Sequence, residues 1–146
     1  MPTGVKNSTI PGCGFHHISI QTQNMAESLH FYRDILGMQV RLEFNVGDRP
    51  FALLDIGDGS YIELQAPKSD TGDPIPGNPL VHFALAAGDV RSSIEKVRQA
   101  GYPVTVEPKD VQLNTLSASV AFFTGPSGES VELFQEKVPV SAAIVV

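Results

Sequence analysis

Polar and apolar residues alternate in the first patterned segment of the chain, residues 15–21. Ile18 and Ile20 fall on one side of this segment, and His17 and Ser19 fall on the other. A repeat of two residues is typical of a β-strand with one buried face and one polar face. The pattern therefore predicts a strand whose polar face carries an imidazole.

The next segment has the spacing of a helix. Asn24 is a suitable N-cap, with Glu27 three residues further on, and Gly37 supplies a C-terminal stop. Apolar residues recur between them at Met25, Leu29, Tyr32 and Leu36. Three strands are predicted to follow, near residues 39–46, 51–56 and 61–66. The first half of the chain is thus predicted to be a βαβββ module.

The same order of elements returns in the second half. A strand is predicted at residues 80–86, and Asp89 is expected to cap a helix that ends before Gly101. Strands are predicted near residues 104–107, 119–124 and 130–135. Residues 108–117 are poorly patterned and are interpreted as a loop. The second half is therefore also predicted to be βαβββ.

These patterns divide the chain into five parts. The modules are residues 15–67 and 80–136, joined by a linker at 68–79 that is rich in proline and glycine. Residues 1–14 are expected to be a flexible arm. Residues 137–146 form an apolar tail that either covers a partner subunit or frays. The predicted fold class is α+β, with a curved, mostly antiparallel sheet.

Composition limits the partners. The 146 residues carry a formal net charge of −6, and the pI is about 5.0. No basic cluster is available to neutralise phosphates, so nucleic acid and anionic membranes are not expected partners. Cys13 is the single cysteine, which excludes an internal disulfide and favours a reducing compartment. With no signal-peptide pattern and no long apolar run, a cytoplasmic location is predicted.

Four residues of the metal-ligand type recur at matching places in the two modules. They are His17, Glu63, His82 and Glu132, and they lie on the first and last predicted strands of each module. Taken singly, a histidine or glutamate on a strand is most often a solvated surface residue. Their shared strand parity favours a common inward face, where two imidazoles and two carboxylates suit one divalent Zn, Ni, Co, Mn or Fe ion.

Longer stretches of the sequence resemble the vicinal oxygen chelate superfamily, which contains glyoxalase I, methylmalonyl-CoA epimerase, extradiol dioxygenases and bleomycin resistance proteins. The resemblance covers residues 15–136. It is carried by HHISIQTQNMAESLHFYRDILGMQV, YIELQAP, PLVHFALAAGDVRSSIEKVRQAG and GPSGESVELFQE. It implies paired βαβββ modules around a U-shaped cleft that holds one divalent ion.

The ligand set is most similar to that of glyoxalase I, which implies a metal-dependent lyase or isomerase. Such an enzyme chelates adjacent substrate oxygens and moves a proton between neighbouring carbons through an enediolate. By the resemblance, Glu132 is the first choice for the proton-moving carboxylate, and Glu63 is its partner or alternate. The same resemblance implies a homodimer and a small-molecule substrate with adjacent oxygens.

Three alternatives stay open. They are a metal-free binding protein of the resistance type, a non-haem iron dioxygenase of the extradiol type, and a 2-methylacyl-CoA epimerase. The arginine expected for glutathione recognition is replaced by Gln21, so the substrate need not be a glutathione adduct. Arg41, Arg49 and Lys109 are the candidate contacts for an anionic substrate. Residues that share the inward parity and are candidates for the pocket wall are Tyr61, Gln65, Gln21, Ser19 and Phe134.

Overall fold

The computed structural model describes residues 4–66 and 79–137. The first series of elements is β1 (Gly14–Gln21), α1 (Met25–Leu29) with a π-helical continuation (His30–Ile35), β2 (Gln39–Val46), β3 (Arg49–Asp55) and β4 (Tyr61–Gln65). The second series is β5 (Leu80–Ala86), α2 (Val90–Gln99), β6 (Val104–Leu113), β7 (Leu116–Thr124) and β8 (Ser130–Glu136). The predicted α+β class with a repeated βαβββ order is confirmed. The predicted linker and tail lie outside the described residues, except for Pro79 and Lys137.

The chain divides into two compact units. Of the described residues, the N-terminal unit comprises 16–66, 79–83 and 112–115, and the C-terminal unit comprises 4–15, 84–111 and 116–137. The division falls between Phe83 and Ala84, inside β5, so this strand contributes residues to both units. His82 consequently belongs to the same unit as His17 and Glu63, although the sequence places it in the second βαβββ series.

In the N-terminal unit the strands are ordered β2-β3-β4-β1-β5. β1 runs parallel to β4, whereas β2 and β3, and β3 and β4, are antiparallel pairs. The apolar faces of these strands form a core against the first helix. Its buried members are Ala52, Leu54, Ile62 and Leu64. The opposite faces of β1 and β4 are thereby left to carry polar side chains.

The first helix begins as predicted and changes form halfway. The side chain of Asn24 accepts a hydrogen bond from the backbone N–H of Glu27, which confirms the predicted cap. After Leu29 the helix continues with π geometry, which places more residues in each turn than an α-helix does. Leu36, predicted to continue the apolar stripe, is instead 52% exposed, and Met38 packs against the core. A stripe extrapolated at α-helical spacing does not allow for the wider turn.

In the C-terminal unit the strands are ordered β5-β8-β7-β6. α2 packs on this part of the sheet through Val90 and Ile94, which join Ala121 and Leu133 in a buried cluster. The carboxylate of Asp89 accepts from the backbone N–H of Ser92, so the predicted cap of α2 is confirmed.

The predicted loop at residues 108–117 is wrong. These residues belong mainly to β6 and β7, which form a hairpin that turns at Asn114, whose φ is 56°. Pro108 and the break in alternation at Lys109 favoured a loop in the sequence. Proline is tolerated here because β6 is the last strand in the order, and an edge strand can do without one backbone donor.

The described part of the N-terminal arm has defined contacts within the C-terminal unit. Ile10 packs against the cluster that contains Val90 and Ile94. The backbone N–H of Gly88 donates to the carbonyl of Pro11 at 2.7 Å. These contacts join residues far apart in sequence, and the flexibility of the arm stays a prediction.

Neither of the two helices in the described ranges combines the length and the apolar character of a membrane-crossing segment.

Candidate metal centre

Three of the four predicted ligand residues meet in the N-terminal unit. His17 lies on β1, Glu63 on β4 and His82 on β5, which are neighbouring strands. In the parallel register of β1 and β4, Glu63 is level with Ser19, two residues after His17. Residues two apart on a strand share a face, so His17, Ser19 and Glu63 present side chains on one side of the sheet.

The carboxylate of Glu63 lies between the two imidazoles. Its Oε2 atom is 3.9 Å from Nε2 of His17, and its Oε1 atom is 3.9 Å from Nε2 of His82. One ligand atom of each residue lies within 4.8 Å of the others. His17 is fully buried, and Glu63 is 7% exposed. The three groups thus form a compact cluster that is largely shielded from solvent.

This donor set fits a divalent ion. Separations of 3.9 Å are too long for direct hydrogen bonds. Ligand atoms bound about 2.0–2.2 Å from one tetrahedral zinc ion lie about 3.4 Å apart, so a small rotation of the Glu63 carboxylate or of the imidazoles would bring both pairs to that spacing. Imidazole nitrogen and carboxylate oxygen are the donors preferred by ions such as Zn²⁺, Co²⁺, Ni²⁺ and Fe²⁺. A buried carboxylate is also costly unless a positive charge or hydrogen bonds compensate it.

A chain of hydrogen bonds reaches Oε1 of the Glu63 carboxylate. The hydroxyl of Ser19 donates to Oε1 of Glu63 at 2.8 Å, and Nε2 of Gln65 donates to the Ser19 oxygen at 2.6 Å. Arg49 in turn donates to Oε1 of Gln65 at 3.2 Å and to the carbonyl of Ala66 at 2.9 Å. Ser19 and Gln65, predicted as pocket-wall residues, therefore orient the carboxylate. Strand parity predicts the face on which the Ser19 and Gln65 side chains lie. It contains no signal for the hydrogen bonds that link them to Glu63.

His16 contacts His17 directly. Strict alternation along β1 predicts that His16 points away with the helix-facing residues. In the structure it is buried, and its Nδ1 atom lies 2.8 Å from Nδ1 of His17. Its ring centroid is also 5.2 Å from that of Tyr61. The expected separation of the two histidines is wrong, because alternation fixes the direction of Cβ and leaves the rest of the side chain free to turn.

Two other predicted wall residues of this unit have identifiable surroundings. The ring of Tyr61 contacts both His16 and the guanidinium of Arg41, whose Cζ is 4.9 Å from the ring centroid. Gln21 donates its backbone N–H to the carbonyl of Pro79. It also lines a cavity of about 560 Å³ beside the first helix, together with Asn24 and Phe31. Substrate binding by Tyr61 and Gln21 stays a prediction.

Glu132 and Phe134 belong to the C-terminal unit. Both are buried on β8, where they pair in register with Phe122 and Val120 of β7. The proposed roles of Glu132 as ligand and base, and of Phe134 as a wall residue, stay predictions.

Two βαβββ series and a buried cluster of two imidazoles and one carboxylate define an α+β protein with a candidate metal centre. The chain belongs to the glyoxalase/bleomycin resistance protein/dioxygenase superfamily, whose family model matches residues 14–133.

Curated relatives match most of the chain. It is 32% identical over 124 residues to a probable lactoylglutathione lyase of Synechocystis sp., covering 82% of this chain and 92% of the relative. It is 28% identical over 126 residues to a lactoylglutathione lyase of Neisseria meningitidis serogroup A, covering 83% and 89%.

Solved structures share the fold at lower identity. A methylmalonyl-CoA epimerase from Mycobacterium tuberculosis is similar with a TM-score of 0.75 and 22% identity, covering 96% of this chain and 97% of the other. A hypothetical protein from Bacillus halodurans gives a TM-score of 0.72 with 24% identity, covering 88% and 97%. At these identities the likeness concerns the fold and does not identify the reaction.

Proposed function

We propose that the protein is a divalent-metal-dependent lyase or isomerase of the glyoxalase type. The observation that carries this proposal is the buried cluster of His17, Glu63 and His82. Relatives named lactoylglutathione lyase at up to 32% identity support the same reaction class. The substrate would be a small molecule with oxygens on adjacent carbons, such as the hemithioacetal of a 2-oxoaldehyde and a thiol.

Within this proposal Nε2 of each histidine and a carboxylate oxygen of Glu63 would hold the ion. When bound, a divalent ion acts as a Lewis acid that makes the C–H bond beside a carbonyl more acidic. The chain's own part is to place a carboxylate that takes this proton and returns it to the neighbouring carbon. By the family resemblance, Glu132 is the first candidate for this proton transfer, and Glu63 is its partner or alternate.

The proposed reaction needs no oxidant. A hemithioacetal loses a proton from the carbon that bears sulfur and gains one on the adjacent carbonyl carbon. The hydroxyl proton of the first carbon passes to the former carbonyl oxygen, which gives a 2-hydroxyacyl thioester. A carboxylate that performs both transfers ends in its starting state. Oxygen consumption is therefore not expected, in contrast to a dioxygenase.

The test combines metal analysis with a substrate screen. Protein purified without chelators should hold about one divalent ion per site, and metal-loaded protein should convert methylglyoxal and a thiol into a thioester. Glu63→Gln and His82→Gln should lower metal affinity and activity together, whereas His30→Gln, at an exposed position of the first helix, should change neither. Metal binding and turnover equal to wild type in Glu63→Gln would refute the proposal.

Other outcomes identify the alternatives. Epimerisation of a 2-methylacyl-CoA without thioester formation would favour an epimerase, and substrate-dependent oxygen uptake by the iron-loaded protein would favour a dioxygenase. Ligand binding without metal that survives His17→Ala would favour a binding protein. The homodimer and the cytoplasmic location remain predictions, and sedimentation of the purified protein tests the first of them.

A further inference from the structure

The contact between His16 and His17 determines which nitrogen of His17 is available to a metal ion. The two Nδ1 atoms are 2.8 Å apart in buried residues, so an N–H at one of them donates a hydrogen bond to the unprotonated nitrogen of the other. A neutral imidazole carries one N–H and one bare nitrogen. The position of the shared proton therefore decides where the lone pair of His17 lies.

Only one of the two arrangements leaves Nε2 of His17 able to bind a cation. If Nδ1–H of His16 donates, Nδ1 of His17 is the acceptor, and a neutral His17 carries its proton on Nε2. If Nδ1–H of His17 donates, its Nε2 atom is bare. That atom is the one directed at Glu63, at 3.9 Å from Oε2. Metal ligation through Nε2 thus requires His16 to be the acceptor.

We propose that His16 is a positioning residue that accepts the Nδ1–H of His17 and so presents Nε2 of His17 to the metal ion. This inference rests on the proposed metal centre. Ligand histidines commonly donate their second N–H to a carboxylate, carbonyl or water, and loss of that partner typically lowers metal affinity about 10–100-fold. In this chain a second imidazole takes the place of those acceptors.

The surroundings of His16 hold its ring in the accepting position. The residue is 5% exposed, and its ring meets that of His17 edge-on, with an interplanar angle of 78° and a centroid distance of 5.0 Å. The ring centroid of Tyr61 lies 5.2 Å from that of His16. Because the His16 ring is packed on two sides, its Nδ1 atom is already in place as an acceptor. Little further ordering of this histidine pair is then needed when His17 binds a cation.

A set of His16 variants separates the role of its Nδ1 atom from a role in packing. The amide oxygen of asparagine is as far along the side chain as Nδ1 of histidine, so His16→Asn keeps an acceptor near His17. Leucine has the same branching as asparagine without an acceptor. The amide oxygen of glutamine is one bond further out, near the place of Nε2.

Zinc affinity, measured by competition with a chromophoric chelator, is the first readout. His16→Leu and His16→Gln should bind zinc about 10–100-fold more weakly than wild type, and His16→Asn should stay within a few-fold of it. His30→Asn is the matched control, since this histidine is exposed on the first helix and pairs with Asp34. Equal zinc affinity in the asparagine and leucine variants would overturn the inference.

Nitrogen-15 NMR of the imidazoles in zinc-loaded wild type tests the proton position without any substitution. The expected spectrum has a protonated Nδ1 on His17 and a bare Nδ1 on His16, and the reverse would overturn the inference. Failure of wild type to bind any divalent ion would refute the proposed function as well. Normal metal binding and turnover in every His16 variant would refute this inference alone.

Discussion

The hydroxyl of Ser19 donates a 2.8 Å hydrogen bond to Oε1 of Glu63, although the two residues are 44 positions apart in sequence. The parallel register of β1 and β4 puts them level with each other, and Gln65 donates to the same hydroxyl at 2.6 Å. Glu63, a candidate metal ligand, is therefore held by a hydrogen bond between two strands. The Ser19 hydroxyl that donates this bond also accepts one from the buried amide of Gln65. His16 contacts His17, a second candidate ligand, through the two Nδ1 atoms at 2.8 Å.

Ser19→Ala should weaken metal binding and stability together. The variant removes a hydrogen bond from the Glu63 carboxylate and leaves Nε2 of Gln65 without its acceptor. We expect zinc affinity to fall about 10-fold or more, and the free energy of unfolding of the metal-free protein to fall by about 1–3 kcal/mol. Chelator competition and chemical denaturation measure the two quantities. Unchanged zinc affinity in a folded Ser19→Ala protein would show that this bond does not orient the carboxylate.

Much of the fold follows from local signals in the sequence. Asn24 and Asp89 cap their helices as predicted, because a short polar side chain before an apolar periodic segment satisfies a backbone N–H in the first turn. Strand parity also predicts one common face for the side chains of His17, Ser19 and Glu63, which the register of β1 and β4 bears out. These features depend on residues that are neighbours in sequence or on the two-residue repeat of a strand.

The features that sequence did not predict depend on distant or flexible groups. The hairpin of β6 and β7 tolerates Pro108 because of its edge position, which is a property of the whole sheet. The π-helical turn that exposes Leu36 has no counterpart in an α-helical repeat. The turn of His16 towards His17 is a choice of side-chain torsions within a packed core. No local pattern specifies any of these three.

Ser93→Ala should stabilise the protein. Ser93 lies on α2 with 0% exposure, and within the described part of the chain its hydroxyl oxygen has no hydrogen-bond partner. Burial of an unsatisfied hydroxyl costs about 1–3 kcal/mol, and alanine also has the higher helix propensity. We expect the denaturation midpoint to rise while zinc affinity stays at the wild-type value. A lower midpoint would mean that the hydroxyl contributes a favourable interaction.

Asp110→Asn should remove a stabilising contribution that depends on pH. The ammonium of Lys137, the hydroxyl of Ser119 and the guanidinium of Arg91 hold the pKa of the Asp110 carboxyl below its usual 3.8. A pKa lower in the folded state than in the unfolded state means that the contribution is fully present above about pH 4. It declines as the pH falls towards the folded value.

The measurement is the difference in denaturation midpoint between wild type and Asp110→Asn at several pH values. The variant should be less stable at pH 7, and the difference should shrink below about pH 4. Asp48→Asn, in an exposed turn, controls for the loss of one negative charge. A difference that stays constant down to about pH 2 would contradict the assigned cause of the lowered pKa.

Gly88→Ala should loosen the N-terminal arm. A Cβ atom at this position would lie 3.1 Å from the carbonyl oxygen of Pro11, the same oxygen that accepts the 2.7 Å hydrogen bond from the Gly88 backbone. The arm must shift by a few tenths of an ångström, which weakens this bond and the packing of Ile10 beside it. We expect a loss of about 1 kcal/mol and faster proteolytic cleavage within residues 4–13. Gly14→Ala is the matched control, because a Cβ there has nothing within 4 Å. Equal cleavage rates in the two variants would show that the contact between Pro11 and Gly88 does not secure the arm.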